Sequence, residues 1–306
     1  MKSGRIAIID CGTNTFNLLI AVRSNNRWKF LLRRKKVVKL GSDGIVNGMI
    51  GDAPAERAVL ALIDYRKLTD EKGVKEVRIV GTAALRDAKN GKTILRRIYD
   101  ATGFKIQLID GLQEATLIWK GVRQAIPLGD DSSLVMDIGG GSTEFILCNA
   151  HKIFWKKSFR LGAARIKELH PFSDPPTGKE IKKLEEFLKQ ELAPLSDACR
   201  RYPPKRLIGS SGSFDSFTAM ILKKKNEPAF RGTHYHFNLK EYVALHRELI
   251  RTSYQERLQF PGLLRMRADM IVPAAVLLTF ALRFTGIKEM HLSTYSLKEG
   301  LLDEFN

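Results

Sequence analysis

One pattern occurs twice in this chain, and it restricts the fold more than any other feature. The stretch IAIIDCGTNTFNLLI, residues 6–20, overlays SLVMDIGGGSTEFIL, residues 133–147, at a constant offset of 127 positions. The overlay places Asp137 on Asp10, Gly139 on Gly12, Ser142 on Thr15 and Ile146 on Leu19. Each copy is Asp-x-Gly-x-x-Ser/Thr between two apolar runs, which reads as strand, tight turn, strand. Chance supplies an isolated Asp-x-Gly easily, but not the matched flanks. The chain is therefore read as an internal duplication.

Between and after the two hairpins, helical and strand patterns alternate. A helix is expected over 53–72, with Asp52 as its cap and Gly73 as its stop. EVRIVGTAAL (76–85) reads as a buried strand, GKTILRRIYDATG (91–103) as a helix and FKIQLIDG (104–111) as a strand. The next helix starts with Asp110 and Gln113 at capping-box spacing. In the second half, HKIFWKKSFRLGAARI (151–166) reads as a strand ending near Gly162, followed by a loop holding Pro171, Pro175 and Pro176. A charged helix then starts near Lys179, and KRLIGSSGSF (205–214) is a strand running into a glycine- and serine-rich turn. The last third reads as helical, closing on a short strand and a terminal helix. Alternation in both halves predicts α/β lobes with mixed sheets. The expected lobes are 1–121 and 122–306, with a C-terminal helix at about 296–306 able to pack back on the first.

Charge and cysteine usage narrow the class. The 306 residues carry 51 Lys+Arg against 33 Asp+Glu, a net charge of +18, in short clusters such as Arg33–Lys36. This balance suits either a well-solvated surface or attraction of a polyanion: nucleic acid, polyphosphate or a membrane surface. No zinc-finger or RNP-type motif supports nucleic acid. Three unevenly spaced cysteines, Cys11, Cys148 and Cys199, exclude a paired disulfide framework, and the first two read as buried thiols. The opening apolar run is too short for a signal-peptide core, and MIVPAAVLLTFAL (270–282) is too short to span a bilayer. A cytoplasmic protein with no membrane role is expected.

Consecutive glycines at a strand end leave backbone N–H groups bare, which makes a concave site for an anion such as phosphate. Ser142 and Thr143 add hydroxyl donors. Asp137 cannot touch phosphate directly, because two anions repel, so a cation or positioned water must stand between them. Two facing hairpins would give two phosphate clamps, with Asp10 and Asp137 around one Mg2+–phosphate centre. Elsewhere, His234-Tyr235-His236 would direct two rings to one side of a strand, a pairing able to bind metal, although no cysteine or acid stands near it in sequence.

With these residues in view, the chain resembles the exopolyphosphatase/guanosine pentaphosphate phosphohydrolase (Ppx/GppA) family in its short two-domain form. That family belongs to the superfamily of actin, the sugar kinases and the heat-shock ATPases. The resemblance rests on DCGTNT (10–15), VGTAALR (80–86), QEA (113–115), DIGGGSTE (137–144), Leu161-Gly162, GSSGS (209–213), Arg267 and EGLL (299–302). It implies two actin-like, ribonuclease-H-like lobes with a cleft between them. It also implies Mg2+-dependent release of terminal phosphate from inorganic polyphosphate or guanosine pentaphosphate. Carried over residue by residue, it makes Glu114 the group that aligns or deprotonates water. Asp137 and Glu144 would hold the metal, and Thr13, Asn14, Arg86, Gly139, Gly140, Gly141, Ser142, Thr143 and Arg267 would contact phosphates.

Glu114 also stands in the first turn of a predicted helix, where the dipole favours its ionised form. Two departures from the family pattern stand out: Lys298 replaces a common arginine, and Gln113 replaces a common acid. They keep open a non-hydrolytic polyphosphate or alarmone sensor, while GSSGS keeps open an ATP-dependent kinase of the same superfamily. A homodimer is left open.

Overall fold

The computed structural model of the chain describes residues 4–305 apart from Asn26 and Asp43. The chain divides into two compact units, 1–114 with 301–306, and 115–300.

In the first unit, the expected hairpin is β1 (Arg5–Cys11) and β2 (Thr15–Ser24), followed by β3 (Arg27–Val37). Helix α1 (Asp52–Glu71) crosses over to β4 (Val74–Gly81), which lies parallel to β1. Short α2 (Ala83–Asp87), α3 (Gly91–Thr102), β5 (Gln107–Leu108) and the start of α4 (Gly111–Ala125) complete it. The sheet order is β3-β2-β1-β4-β5. Ala55, Ala58, Leu62 and Tyr65 recur at helical spacing on the buried side of α1, and the Tyr65 hydroxyl donates to the Phe16 carbonyl at 2.8 Å.

Several expected boundaries move. Gly51, not Asp52, is the N-cap of α1, with Asp52 already inside the first turn. Gly73 does stop the helix, in the left-handed region at φ +59°. Only the last three residues of β4 are buried, and Thr82-Ala83-Ala84-Leu85 leave the strand to cap and begin α2. The basic cluster Arg33–Lys36 lies on β3, a mostly exposed edge strand that the sequence pattern did not announce. Charge on an edge strand discourages further strand pairing.

The second unit repeats the plan. Its hairpin is β6 (Ser133–Ile138) and β7 (Thr143–Cys148), buried at every position, followed by β8 (Ile153–Phe159). Then come α5 (Ala163–Leu169), α6 (Gly178–Glu191), α7 (Ala193–Arg201), β9 (Arg206–Ser210) and α8 (Ser211–Lys224). The expected strand through Gly162 stops at Phe159, and the expected turn after Ser210 is instead the start of α8. Strand β10 (His234–Phe237) interrupts the expected helical third, followed by α9 (Leu239–Leu249), α10 (Tyr254–Leu258), α11 (Ile271–Thr285), β11 (Met290–Ser293) and α12 (Leu297–Leu302). The sheet order is β10-β11-β9-β6-β7-β8.

The run read as too short for a bilayer is α11, buried along most of its length in the core of this unit. Among the described residues no helix is long and apolar enough to cross a membrane. Cys11 and Cys148 are buried free thiols; burial and the neighbouring Asp10 push Cys11 up, and burial pushes Cys148 up to about 12.

Within each unit the first two strands form an antiparallel hairpin, and the first strand then pairs in parallel with β4 or with β9. The chain is therefore a repeated α/β structure of two units, each with a mixed sheet.

Candidate active site

The turn after β6 is shaped by what its carbonyls bind. The Gly139 carbonyl accepts from Ala163 N at 2.9 Å, and the Gly140 carbonyl accepts from Ala164 N at 3.0 Å and Arg165 N at 3.2 Å. The Gly141 carbonyl accepts from Arg165 Nε at 3.0 Å. C=O and N–H point in opposite directions across a trans peptide. The N–H groups of Gly140, Gly141 and Ser142 therefore all point away from α5, side by side. This is the cradle that phosphate recognition needs. Gly162 makes the arrangement possible: a Cβ there would stand 2.3 Å from the Gly140 carbonyl and 2.4 Å from Gly141 N. Arg165, buried and spent on this buttress, was not singled out in the sequence.

Asp137 precedes the turn. Its carboxylate accepts from Ser210 Oγ at 2.6 Å, Ser211 Oγ at 2.7 Å and Ser296 Oγ at 2.6 Å. Ser211 opens α8 at φ +71°, a conformation that costs a non-glycine residue energy and concentrates at functional sites. Ser296 is held in turn by Glu299, whose Oε2 accepts from Ser296 N at 3.0 Å. Gly121 and Gly300 let α12 lie against α4, since a Cβ on Gly300 would stand 1.8 Å from the Leu117 carbonyl. The late Glu-Gly motif thus supports Asp137 through Ser296. None of the three serines was a sequence-level candidate by role, although Ser210 and Ser211 lie within GSSGS. Ser296 had one local signal, its Ser-x-x-Glu spacing to Glu299.

Glu144 lies directly across the hairpin from Asp137, on the same sheet face. It is fully buried and accepts from Ser158 Oγ at 2.7 Å. Two carboxylates in opposed positions repel unless a cation offsets them. Arg267 supplies part of that charge: its guanidinium packs on Gly212, where a Cβ would stand 1.9 Å from Nη2. Burial lowers its pKa, opposed by Asp215, Asp269 and Asp137. Two carboxylates with serine hydroxyls form an all-oxygen, hard donor set suited to Mg2+. Thr143 alternates to the opposite face and donates its hydroxyl to the Leu161 carbonyl at 2.9 Å, so it braces the turn.

The first unit uses the same device. Carbonyls of the β1–β2 turn are turned back, Thr13 O toward Gly41 N at 3.3 Å and Asn14 O toward Val38 N and Lys39 N at 2.9 and 3.0 Å. The N–H groups of Asn14 and Thr15 therefore point the other way. Asp10 accepts from Asn17 Nδ2 at 3.1 Å. Helix α4 begins with the expected capping box: Asp110 Oδ1 accepts from Leu112 N and Gln113 N at 2.8 and 2.7 Å, and Gln113 Oε1 accepts from Asp110 N at 3.0 Å. That cap places Glu114 in the first turn, largely buried. Arg86 stands 3.7 Å from its Oε2 and is itself fixed by Asp87 at 2.9 Å and the Ile109 carbonyl at 3.1 Å.

The chain is similar to known phosphatases along its length. The model of the Ppx/GppA phosphatase family matches residues 19–305. Exopolyphosphatase 2 of Mycobacterium tuberculosis is 26% identical over 320 aligned residues, covering 98% of each chain. A bifunctional 3-dehydroquinate synthase/phosphatase of Fusobacterium nucleatum is 38% identical over 170 residues, 53% of this chain and 26% of that one. Among solved structures, an exopolyphosphatase from Cytophaga hutchinsonii superposes with a TM-score of 0.96 at 37% identity, covering 98% and 97% of the two chains. The Aquifex aeolicus PPX-GPPA enzyme superposes with a TM-score of 0.81 at 25% identity, covering 98% and 99%.

Proposed function

Because the chain belongs to the Ppx/GppA phosphatase family, we propose that it is a phosphoanhydride hydrolase that removes terminal orthophosphate from inorganic polyphosphate. The observation that carries this reading is the turn at 139–142, whose three outward N–H groups follow from carbonyls committed to α5 and Arg165.

Glu114 accepts the proton of the attacking water on its carboxylate, and Arg86 keeps that carboxylate in one orientation. The N–H groups of Gly140, Gly141 and Ser142, with the Ser142 hydroxyl, bind the transferring phosphoryl oxygens and take up charge as the anhydride breaks. Arg267 adds a fixed positive charge beside Asp137. Thr13 and Asn14 of the first turn bind phosphate through backbone and side-chain donors. Asp137, Glu144 and Asp10 would hold Mg2+, which when bound neutralises phosphate charge and polarises the anhydride. Ser210, Ser211 and Ser296 fix the orientation of Asp137.

The charge distribution supports polyphosphate over a single nucleotide. Strand β3 exposes Arg27, Lys29, Arg33, Arg34 and Lys35 along one edge, and a long polyanion gains from such a spread where a compact nucleotide does not. Buried free thiols at Cys11 and Cys148 fit a reducing cytoplasm. The test is orthophosphate release from defined-length polyphosphate, guanosine pentaphosphate and ATP, each with and without Mg2+. The expected result is metal-dependent release, fastest from polyphosphate. Tight polyphosphate binding with no release would replace the enzyme by a sensor, and release that requires an acceptor molecule would replace it by a kinase.

A further inference from the structure

Strand β10 is four residues long and ends the sheet, paired with β11. Its His-Tyr-His sequence has no acidic neighbour in the chain, yet the fold supplies one. His236 is paired with His291 across the β10–β11 ladder, and their rings stack at 4.6 Å between centroids, 16° from parallel. Glu289 lies just before β11, two residues from His291, and its Oε1 stands 2.5 Å from His291 Nε2. One donor atom from each of the three residues lies within 4.8 Å of the others. We propose that His236, Glu289 and His291 form a zinc site that ties the edge strand β10 to β11, separate from the Mg2+–phosphate chemistry assigned to Asp137.

The chemistry of the donors decides the metal. Two imidazoles and one carboxylate are borderline nitrogen and oxygen ligands, the set found in zinc sites that keep a fourth position for water. Mg2+ prefers all-oxygen surroundings and does not compete well for imidazole. Tetrahedral bonds of about 2.0–2.1 Å require donors roughly 3.3 Å apart. Closing the present spacing requires these side chains to rotate, and His236 is exposed while Glu289 and His291 are partly so.

Arg206 lies near Glu289 and His291 and opposes a cation, but its guanidinium is tethered to the Pro127 and Leu128 carbonyls at 2.7 and 2.9 Å and to Ser133 Oγ at 3.2 Å.

The cluster is not a margin of the glycine turn. His291 pairs with Ile208, and Ile208 with Val135, so His291 lies level with a residue early in β6, before Asp137 and the turn. Glu289 lies further still from the turn along the same direction.

The test is equilibrium dialysis of the full chain against ZnCl2 in phosphate-free buffer with excess Mg2+, alongside thermal melting with and without zinc. The wild type should bind one Zn2+ per chain and melt at a higher temperature with zinc than without it. His236→Ala removes an exposed ligand and leaves folding intact. It should weaken zinc binding by at least about 10-fold, the loss that even a ligand's outer partner causes, and should abolish the zinc-dependent melting shift. His151→Ala, which removes an exposed histidine elsewhere, should bind zinc as the wild type does. Failure of the wild type to bind zinc, or wild-type affinity in a His236→Ala/His291→Ala double variant, overturns the proposal.

Discussion

The two hairpin turns share a backbone design and differ in what the duplication placed around it. Opposite Asp10 stands Asn17, an amide that donates to it at 3.1 Å. Opposite Asp137 stands Glu144, a second carboxylate. The first turn keeps side chains at Thr13 and Asn14 and is braced by the 38–41 segment, whereas the second is three bare glycines braced by α5 and Arg165. Asp137 is further held by hydroxyls from β9, α8 and the residue before α12. The second hairpin thus carries two opposed carboxylates where the first carries an acid and an amide, and the first unit carries Glu114 instead. Symmetry of fold did not preserve symmetry of chemistry.

This contrast can be broken or sharpened by substitution. Glu114→Gln should lower kcat about 1,000-fold, within the range lost with a general base, while polyphosphate binding persists. Steady-state phosphate release together with a binding titration checks both halves. Asp137→Asn should lower Mg2+ affinity and turnover by about 100-fold, and Asp10→Asn by about 10-fold, as metal titrations of activity would show. Asp137→Asn should also cost roughly 1–3 kcal/mol in denaturant unfolding, because hydroxyls lose their acceptor. Equal effects of the two substitutions would erase the asymmetry.

The braces make a third pair. Gly162→Ala sets a Cβ against the peptide of Gly140 and Gly141 and should cost about 1–3 kcal/mol and displace the turn. Gly41→Ala meets Thr13 Cγ2 at 2.7 Å and Ile45 Cδ1 at 3.0 Å, both side-chain ends able to give way, and should cost less than about 1.5 kcal/mol. Comparative thermal melts measure the order.

The smallest effect concerns α6, where Thr177 and Glu180 form a capping box. Hydrogen bonds from Ser173 and Thr177 lower the Glu180 carboxyl to about 2. A depressed folded-state pKa gives stability that is present above the ordinary carboxylate range and lost as pH falls toward about 2. Glu180→Gln should flatten the dependence of melting temperature on pH in that interval and leave it unchanged near neutrality.

Much of this was legible in the chain because it is local. The matched hairpins, the Asp110–Gln113 box and the stop at Gly73 each depend on residues a few positions apart. Where burial is non-local, the pattern was silent. In β3, basic residues occupy most outward positions and mask the alternation of a strand. At Ser211-Gly212-Ser213, poor helix formers read as a turn. There the non-local contact is the Arg267 guanidinium, which lies 1.9 Å from where a Cβ on Gly212 would stand. Asp137 and Ser296 are 159 positions apart, and no spacing rule joins them. The glutamate beside His236 was hidden in the same way, since sheet register rather than sequence brings Glu289 and His291 to it.

The proposed reaction uses both Glu114 and Asp137. A double-mutant cycle on orthophosphate release from polyphosphate, using Glu114→Gln, Asp137→Asn and the combined variant, tests it most directly. Residues acting as one catalytic unit are strongly non-additive, so the combined variant should be little slower than Glu114→Gln alone. Losses that simply multiply would mean that the two groups act independently, and would contradict the account.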